Sequence, residues 1–181
     1  MKPQTKEKLY IITIVLLIAA CAQFYYTYRY QPAHEVMVFY NKEHELNREI
    51  LSVIREADEF VYFAVYTFTR NDIKDALLGA KYRGVDVMGV TDKNQASDLE
   101  IQKKLINELR QAGIPIYEQD HDAIMHMKAV VSEKAYASGS FNWTAAATND
   151  NDEVLEVGRD EGIRKQYEGV LKRLIKKYEV Q

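Results

Sequence analysis

His126-Met127-Lys128 and Gly139-Ser140-Phe141-Asn142-Trp143-Thr144 place imidazole, ammonium, hydroxyl and amide groups within one short stretch. The residues between them decide how the chain folds there. Ala129, Val130 and Val131, then Ala135, Tyr136 and Ala137, flank the turn-prone Ser132-Glu133-Lys134, a pattern that predicts a hairpin ending at Gly139-Ser140. If His126 and Lys128 share a strand, the side-chain period of two puts both on one face. The His/Lys pair and the Ser/Asn pair then meet at one sheet edge.

Upstream of the hairpin, strands alternate with helices. Residues 36–40 read as a strand, and residues 42–57 carry Leu46, Ile50, Val53, Ile54 and Ala57 at helical spacing. Residues 60–68 form an aromatic and β-branched strand, and Asn71 or Asp72 caps a helix running to Tyr82 and stopped at Gly84. Residues 85–91 make a third strand. Ser97 caps a helix with Leu99, Ile101, Leu105, Ile106 and Leu109 on its apolar face, ended by Gly113, and residues 114–118 make a short strand. After a polar loop at 119–123 and the hairpin, residues 153–158 give a last strand and 161–178 a closing helix. The alternation predicts an α/β fold, a mixed and largely parallel β-sheet flanked by helices as an α/β/α sandwich, with an N-terminal membrane helix.

That membrane helix is read from the first thirty residues. Lys2, Lys6 and Lys8 precede an almost uncharged run from Leu9 to Tyr28, long enough at roughly 20 residues to cross a bilayer. Tyr25, Tyr26, Tyr28 and Tyr30 cluster at its far end beside Arg29, so the lysines stay cytoplasmic and the domain lies outside. Two rival readings use the same residues: Ile18-Ala19-Ala20-Cys21 resembles a bacterial lipoprotein processing site, and the apolar core also fits a cleaved signal peptide. A buried helix of a soluble fold is the remaining alternative. The expectation is thus residues 1–30 as an anchor or signal segment and residues 31–181 as one domain in the bacterial envelope, membrane-anchored or, less favoured, secreted.

Composition bounds the chemistry. The chain has 181 residues, 47% of them hydrophobic and 28% charged, which suits one compact domain. The single cysteine, Cys21, excludes an internal disulfide and a thiolate-rich zinc site, and the four histidines show no metal-ligand spacing. The net charge is −3; the first thirty residues carry four basic groups and one acidic, so the remainder stands at −6. Such a domain is no bulk polycation, although a local basic groove remains compatible with it. Arg164, Lys165, Lys172, Arg173, Lys176 and Lys177 form the one basic stretch, read as a solvated face or a membrane-facing patch.

Hydrolysing a phosphodiester requires an in-line nucleophile, charge stabilisation on the non-bridging oxygens and an acid for the departing oxygen. An imidazole, with an ordinary pKa near ~6.5, attacks when neutral and donates when protonated, so His126 suits either role. Lys128, Ser140 and Asn142 supply one point charge and neutral donors for the phosphate, which makes a metal ion unnecessary. A carboxylate must orient the histidine, and Glu153 is the candidate because Asn149-Asp150-Asn151-Asp152 leads back from the Ser/Asn turn into a strand. The plainer readings are a structural histidine on an alternating strand and two ordinary turn residues. Phe141 and Trp143 read as core or interface packing rather than base-stacking platforms, and His34, His44 and His121 as surface residues.

The combination His126-x-Lys128, Gly139-Ser140-x-Asn142 and Asn151-Asp152-Glu153 resembles the signature of the phospholipase D superfamily, H-x-K-x4-D with G-S-x-N and a downstream N-x-E. Val65-Tyr66-Thr67-Phe68-Thr69, the segment from Ala80 to Val87, and Ala112-Gly113-Ile114-Pro115 extend the likeness toward the small Nuc-type endonucleases, over most of residues 36–178. The resemblance implies a two-step, metal-independent reaction through a phosphohistidine, with His126 of one subunit attacking and its counterpart in another protonating the leaving group. One motif copy then implies a homodimer with a composite active site and a bell-shaped pH dependence. Lys128 and Asn142 would bind the phosphate, Ser140 would support it, and Glu153 would fix the tautomer of His126. Glu133 stands at the motif's acidic position in place of aspartate, and Val154 where relatives often carry asparagine. No cofactor is expected. The substrate is expected to be DNA or RNA; the alternatives are a phospholipid such as cardiolipin and a dimeric module that binds a phosphate ligand without turnover.

Overall fold

Phe60-Val61-Tyr62-Phe63-Ala64-Val65 is apolar on both faces, as a strand must be when helices cover both sides of its sheet. It is the second of seven strands among the described residues. The computed structural model describes residues 3–29 and 36–179, and the chain divides into two compact units, residues 1–34 and 35–181.

The described residues of the first unit form one helix, α1 (Pro3–Arg29). Its described apolar side chains, Ile11 to Ile18 among them, are exposed. Among the described residues no helix is long and apolar enough to cross a membrane. The expected helix is therefore present, while the membrane span expected of it is not found: its continuously described side chains, residues 10–25, fall short of the roughly 20 that a span needs. Position 34, read as a surface histidine, lies outside the described residues.

The second unit runs β1 (Val36–Tyr40), α2 (Leu46–Glu56), β2 (Phe60–Val65), α3 (Asn71–Tyr82), β3 (Asp86–Thr91), α4 (Lys93–Asp98), α5 (Glu100–Gln111), β4 (Ile116–Glu118), β5 (Lys128–Ser132), β6 (Tyr136–Gly139), α6 (Ala145–Asn149), β7 (Val154–Gly158) and α7 (Glu161–Glu179). The strands form one sheet in the order β1-β7-β6-β5-β2-β3-β4. Only β2–β3 and β3–β4 pair in parallel; the β1–β7, β7–β6, β6–β5 and β5–β2 pairs are antiparallel. The sheet is mixed, as expected, but not largely parallel. The cause is connection length: helical crossovers return the chain for β3 and β4, whereas β5 and β6 are joined by a tight turn that allows only antiparallel pairing.

Helices cover both faces. Val61, Phe63 and Val65 pack with Leu46, Ile50, Ile54, Leu77, Leu105 and Leu109 from α2, α3 and α5. On the other face Tyr62, Ala64, Val90, Val131 and Tyr136 pack with Leu171, Ile175 and Tyr178 of α7. Of the basic residues of α7, Lys165, Lys172, Arg173, Lys176 and Lys177 are exposed, Lys165 and Lys172 pairing with Glu161 and Glu168, whereas Arg164 turns inward and donates to the Ser132 carbonyl, so it does not belong to the single exposed face expected of the stretch.

Two expected helices begin elsewhere. Residues 41–45 form a turn in which the amides of Glu43 and His44 donate to the Tyr40 carbonyl, so α2 starts at Leu46 rather than 42. The helix expected from Ser97 is two helices: Asp92 caps α4 through its side chain, the chain breaks at Leu99, and Ser97 lies inside α4. The stops at Gly84 and Gly113 hold, with φ of 88° and 78°, the left-handed geometry that glycine adopts without strain.

Candidate active site

The register brings the end of β2, the start of β5, the end of β6 and the start of β7 to one end of the sheet, since Val65 pairs with Lys128 and Gly139 with Leu155. Every predicted site residue except Glu133 lies there. His126 is not on the strand: β5 begins at Lys128, and the preceding Met127 carbonyl accepts from the Tyr66 amide. The shared strand face is therefore replaced by a loop histidine beside a strand lysine.

Lys128 is 6% exposed, and its ammonium donates to the His126 carbonyl at 2.9 Å. Burial pulls its pKa below the ordinary lysine value, and the Glu153 carboxylate opposes that pull. The Tyr66 ring joins the two groups: its centroid is 4.9 Å from that of the His126 imidazole and 5.1 Å from the Lys128 Nζ. The exposed imidazole and a desolvated cation are thus set side by side.

Gly139 allows the second half of the site to form. A Cβ there would stand 2.2 Å from the Val154 carbonyl oxygen, so β6 approaches β7 this closely only without a side chain. The approach lets Ser140 bridge the strands: its hydroxyl donates to Glu153 Oε2 and accepts from the Val154 amide at 3.1 Å. Glu153, 7% exposed, also accepts from the Asn151 side chain at 3.0 Å. No hydrogen bond joins Glu153 to His126, so the expected tautomer-fixing contact is not made within this chain. Asn142 uses its side-chain oxygen to accept from the Thr67 amide at 3.3 Å, an orientation that turns its NH₂ group away from that bond. Ser140 and Asn142 thus brace the site while keeping polar groups at its edge. Phe141 and Trp143 are fully buried, Trp143 against Phe63 and Phe68, which places them in the core as expected.

The loop carrying His126 hangs on Asp92, which is fully buried. One carboxylate oxygen caps α4 by accepting from the Asn94 and Gln95 amides; the other accepts from the Met125 amide at 2.9 Å and Gln119 Nε2 at 3.1 Å. Burial alone would raise the pKa of this group, but the donors outweigh it and hold the carboxyl below its ordinary value. Gln102, also fully buried, braces the facing loop, accepting from the Phe68 amide and donating to the Tyr66 carbonyl and Thr91 Oγ1.

Glu133 is elsewhere. It follows the far end of β5, about 16 Å from Lys128 at a strand's rise per residue, and accepts from the Asp58 amide at 2.8 Å and the Phe60 amide at 3.4 Å. Its role is to seat the start of β2, and the departure from the family's aspartate falls outside the site. Glu133→Ala should therefore cost about 1–2 kcal/mol of stability in urea titration and leave turnover within about twofold. A large loss of turnover with unchanged stability would contradict this placement.

Tyr66, Asp92 and Gln102 were not among the expected site residues. Tyr66 and Asp92 follow buried strands and so carried a positional signal, whereas nothing in the spacing marks Gln102. His121 is exposed, and His44 is half-buried against the Phe39 ring and hydrogen-bonded to Glu49. Among the described residues no cluster of His, Cys, Asp or Glu could hold a metal ion.

Comparison with known proteins accounts for this arrangement. Residues 50–175 match the family described as cardiolipin synthase, PLD-like domain. A mitochondrial cardiolipin hydrolase of Chlamydomonas reinhardtii is 34% identical over 111 residues, 61% of this chain and 48% of that protein. A phospholipase D of Rickettsia conorii is 31% identical over 119 residues, 65% of this chain and 58% of that protein. The chain thus spans about half to three fifths of the length of these relatives. The crystal structure of NUC from Salmonella typhimurium, a phospholipase D family member, superposes with a TM-score of 0.70 at 28% identity, covering 76% of this chain and 91% of that one. With the family match running through His126, Lys128, Ser140, Asn142 and Glu153, the chain belongs to the phospholipase D superfamily.

Proposed function

We propose that the protein is a metal-independent phosphodiester hydrolase in which His126 attacks phosphorus. The observation that carries this reading is the convergence of an exposed imidazole, a buried ammonium and the Ser140/Glu153 pair at one end of the sheet. His126 forms a P–N bond as the P–O bond to the leaving group breaks, and the departing oxygen takes a proton from His126 of the partner subunit. Water then attacks the phosphohistidine, giving its proton to that second imidazole, and the P–N bond breaks. Lys128 and the Asn142 NH₂ group hold the non-bridging oxygens.

The second imidazole requires a second copy, so the active form is a homodimer, as the single motif implies. Glu153, which has no bond to its own chain's His126, is then available to the partner's ring. The anchor or lipid attachment expected of the first thirty residues would tether the domain at the outer side of a bacterial membrane.

The preferred substrate is DNA or RNA, from the likeness to Nuc-type endonucleases and the coverage of 91% of the NUC chain. Phospholipid is the second reading, favoured by the exposed apolar side chains of Ile124 and Val154, close in sequence to His126 and Glu153, and by the names of the relatives. Incubating the full chain in EDTA with single-stranded DNA, RNA or cardiolipin vesicles separates the two. Nucleic-acid cleavage is expected. Cleavage of lipid alone would reverse the preference, turnover of nothing would leave a phosphate-binding module, and a metal requirement would overturn the mechanism.

A further inference from the structure

Asn41 lies outside the stretch that matches the family, at the end of edge strand β1. Its contacts nevertheless converge on the segment that delivers Glu153. The Asn41 side-chain oxygen accepts from the Glu153 amide at 3.0 Å, and the Asn41 amide donates to the Glu153 carbonyl at 3.1 Å. Its Nδ2 donates to the carbonyls of Asn151 at 2.8 Å and Ala147 at 3.1 Å. One side chain therefore grips both ends of the turn between α6 and β7, using an acceptor on one end and a donor on the other. A carboxamide offers both on separate atoms, so the two ends can be held at once.

The neighbouring contacts reinforce the grip without replacing it. Lys42 Nζ donates to the Asn149 carbonyl at 2.9 Å, and the Tyr40 hydroxyl donates to Asp152 at 2.6 Å. Neither touches Glu153. The 41–45 turn, which displaces the start of α2, keeps these residues beside the loop.

We propose that Asn41 is a positioning residue for the reaction, holding the Glu153 backbone so that its carboxylate meets Ser140. The inference rests on the reading of Glu153 as part of the active site. Asn41 touches no reacting group, so its loss acts on turnover through the placement of Glu153 and leaves phosphate binding by Lys128 and Asn142 intact.

The test uses the full chain with bis(p-nitrophenyl) phosphate as the probe. Asn41→Ala should lower kcat about 10- to 100-fold with KM within about threefold, since small misplacements of a reacting constellation cost rates of that order. Tyr40→Phe, which loosens the same turn without releasing Glu153, should keep kcat within about twofold. Asn41→Asp keeps the acceptor for the Glu153 amide but turns an oxygen toward the Ala147 and Asn151 carbonyls, and should lose at least as much as alanine. Should Asn41→Ala fail to fold, Asn41→Asp is read instead, with circular dichroism to establish its fold. A folded Asn41 variant with wild-type kcat, beside an inactive Glu153→Ala, would overturn the inference and leave the site reading standing. An active Glu153→Ala would overturn the site reading itself.

Discussion

His126→Ala is expected to lower phosphodiester turnover by at least about 10⁴-fold, roughly 5 kcal/mol of transition-state stabilisation. The size of the effect follows from the proposed role: without the imidazole the proposed covalent intermediate has no group to form it, and Lys128 is buried and turned toward a backbone carbonyl. The fold should survive. His126 is exposed, and its ring meets Tyr66 in a T-shaped contact, so stability should change by about 0.5 kcal/mol or less. Turnover measured on protein of unchanged melting temperature checks both statements, and retained activity would remove His126 from the chemistry.

Asp92→Ala is expected to produce the largest loss of stability, about 3–5 kcal/mol, from the lost α4 cap and the buried donors of Met125 and Gln119 left unpaired. In a chain of this size that corresponds to a melting temperature lower by about 10 °C. Asp92→Asn keeps one acceptor and turns an NH₂ group toward the remaining donors, so it should cost about 2 kcal/mol and loosen the loop that carries His126. The pH dependence has a definite sign. Because the folded pKa lies below the ordinary value, the carboxylate's contribution is fully present above the unfolded pKa near ~4 and is lost as pH falls through the folded value. The stability gap between wild type and Asp92→Asn, followed by urea unfolding from pH 7 downward, should hold steady to about pH 5 and then narrow. A gap that widens in acid would show that Asp92 does not carry its charge in the folded state.

Local pattern was enough to locate most strands, because strand β2 is apolar throughout and the short apolar runs 129–131 and 135–137 flank the turn-prone Ser132-Glu133-Lys134. It was not enough for the direction of pairing. Strand β5 reads the same whether it runs with or against β2, and only the course of residues 119–127 decides it. The chemical groups were legible because His126, Lys128, Ser140 and Asn142 stand close together in the sequence. Their supports were not: Asn41 and Glu153 are joined across 112 positions, and Gln102 reaches Phe68 from a helix whose apolar pattern gave no reason to single it out. His126 lies in the loop before β5, where the Met125 amide is bound to the Asp92 carboxylate, a contact between distant positions that no local pattern announces.

The strand order also governs when activity can first appear as the chain folds. Strand β2 meets β3 after a short helical crossover, but its other neighbour, β5, lies more than sixty positions away, and β1 meets β7 from nearly the opposite terminus. Pairings between distant segments close slowly because loop entropy must be overcome before the contacts form. The candidate site draws on β2, β5, β6 and β7 together, with β1 securing the last of them. Catalytic competence should therefore lag behind helix formation and collapse during refolding, and a half-folded chain should have no phosphodiesterase activity.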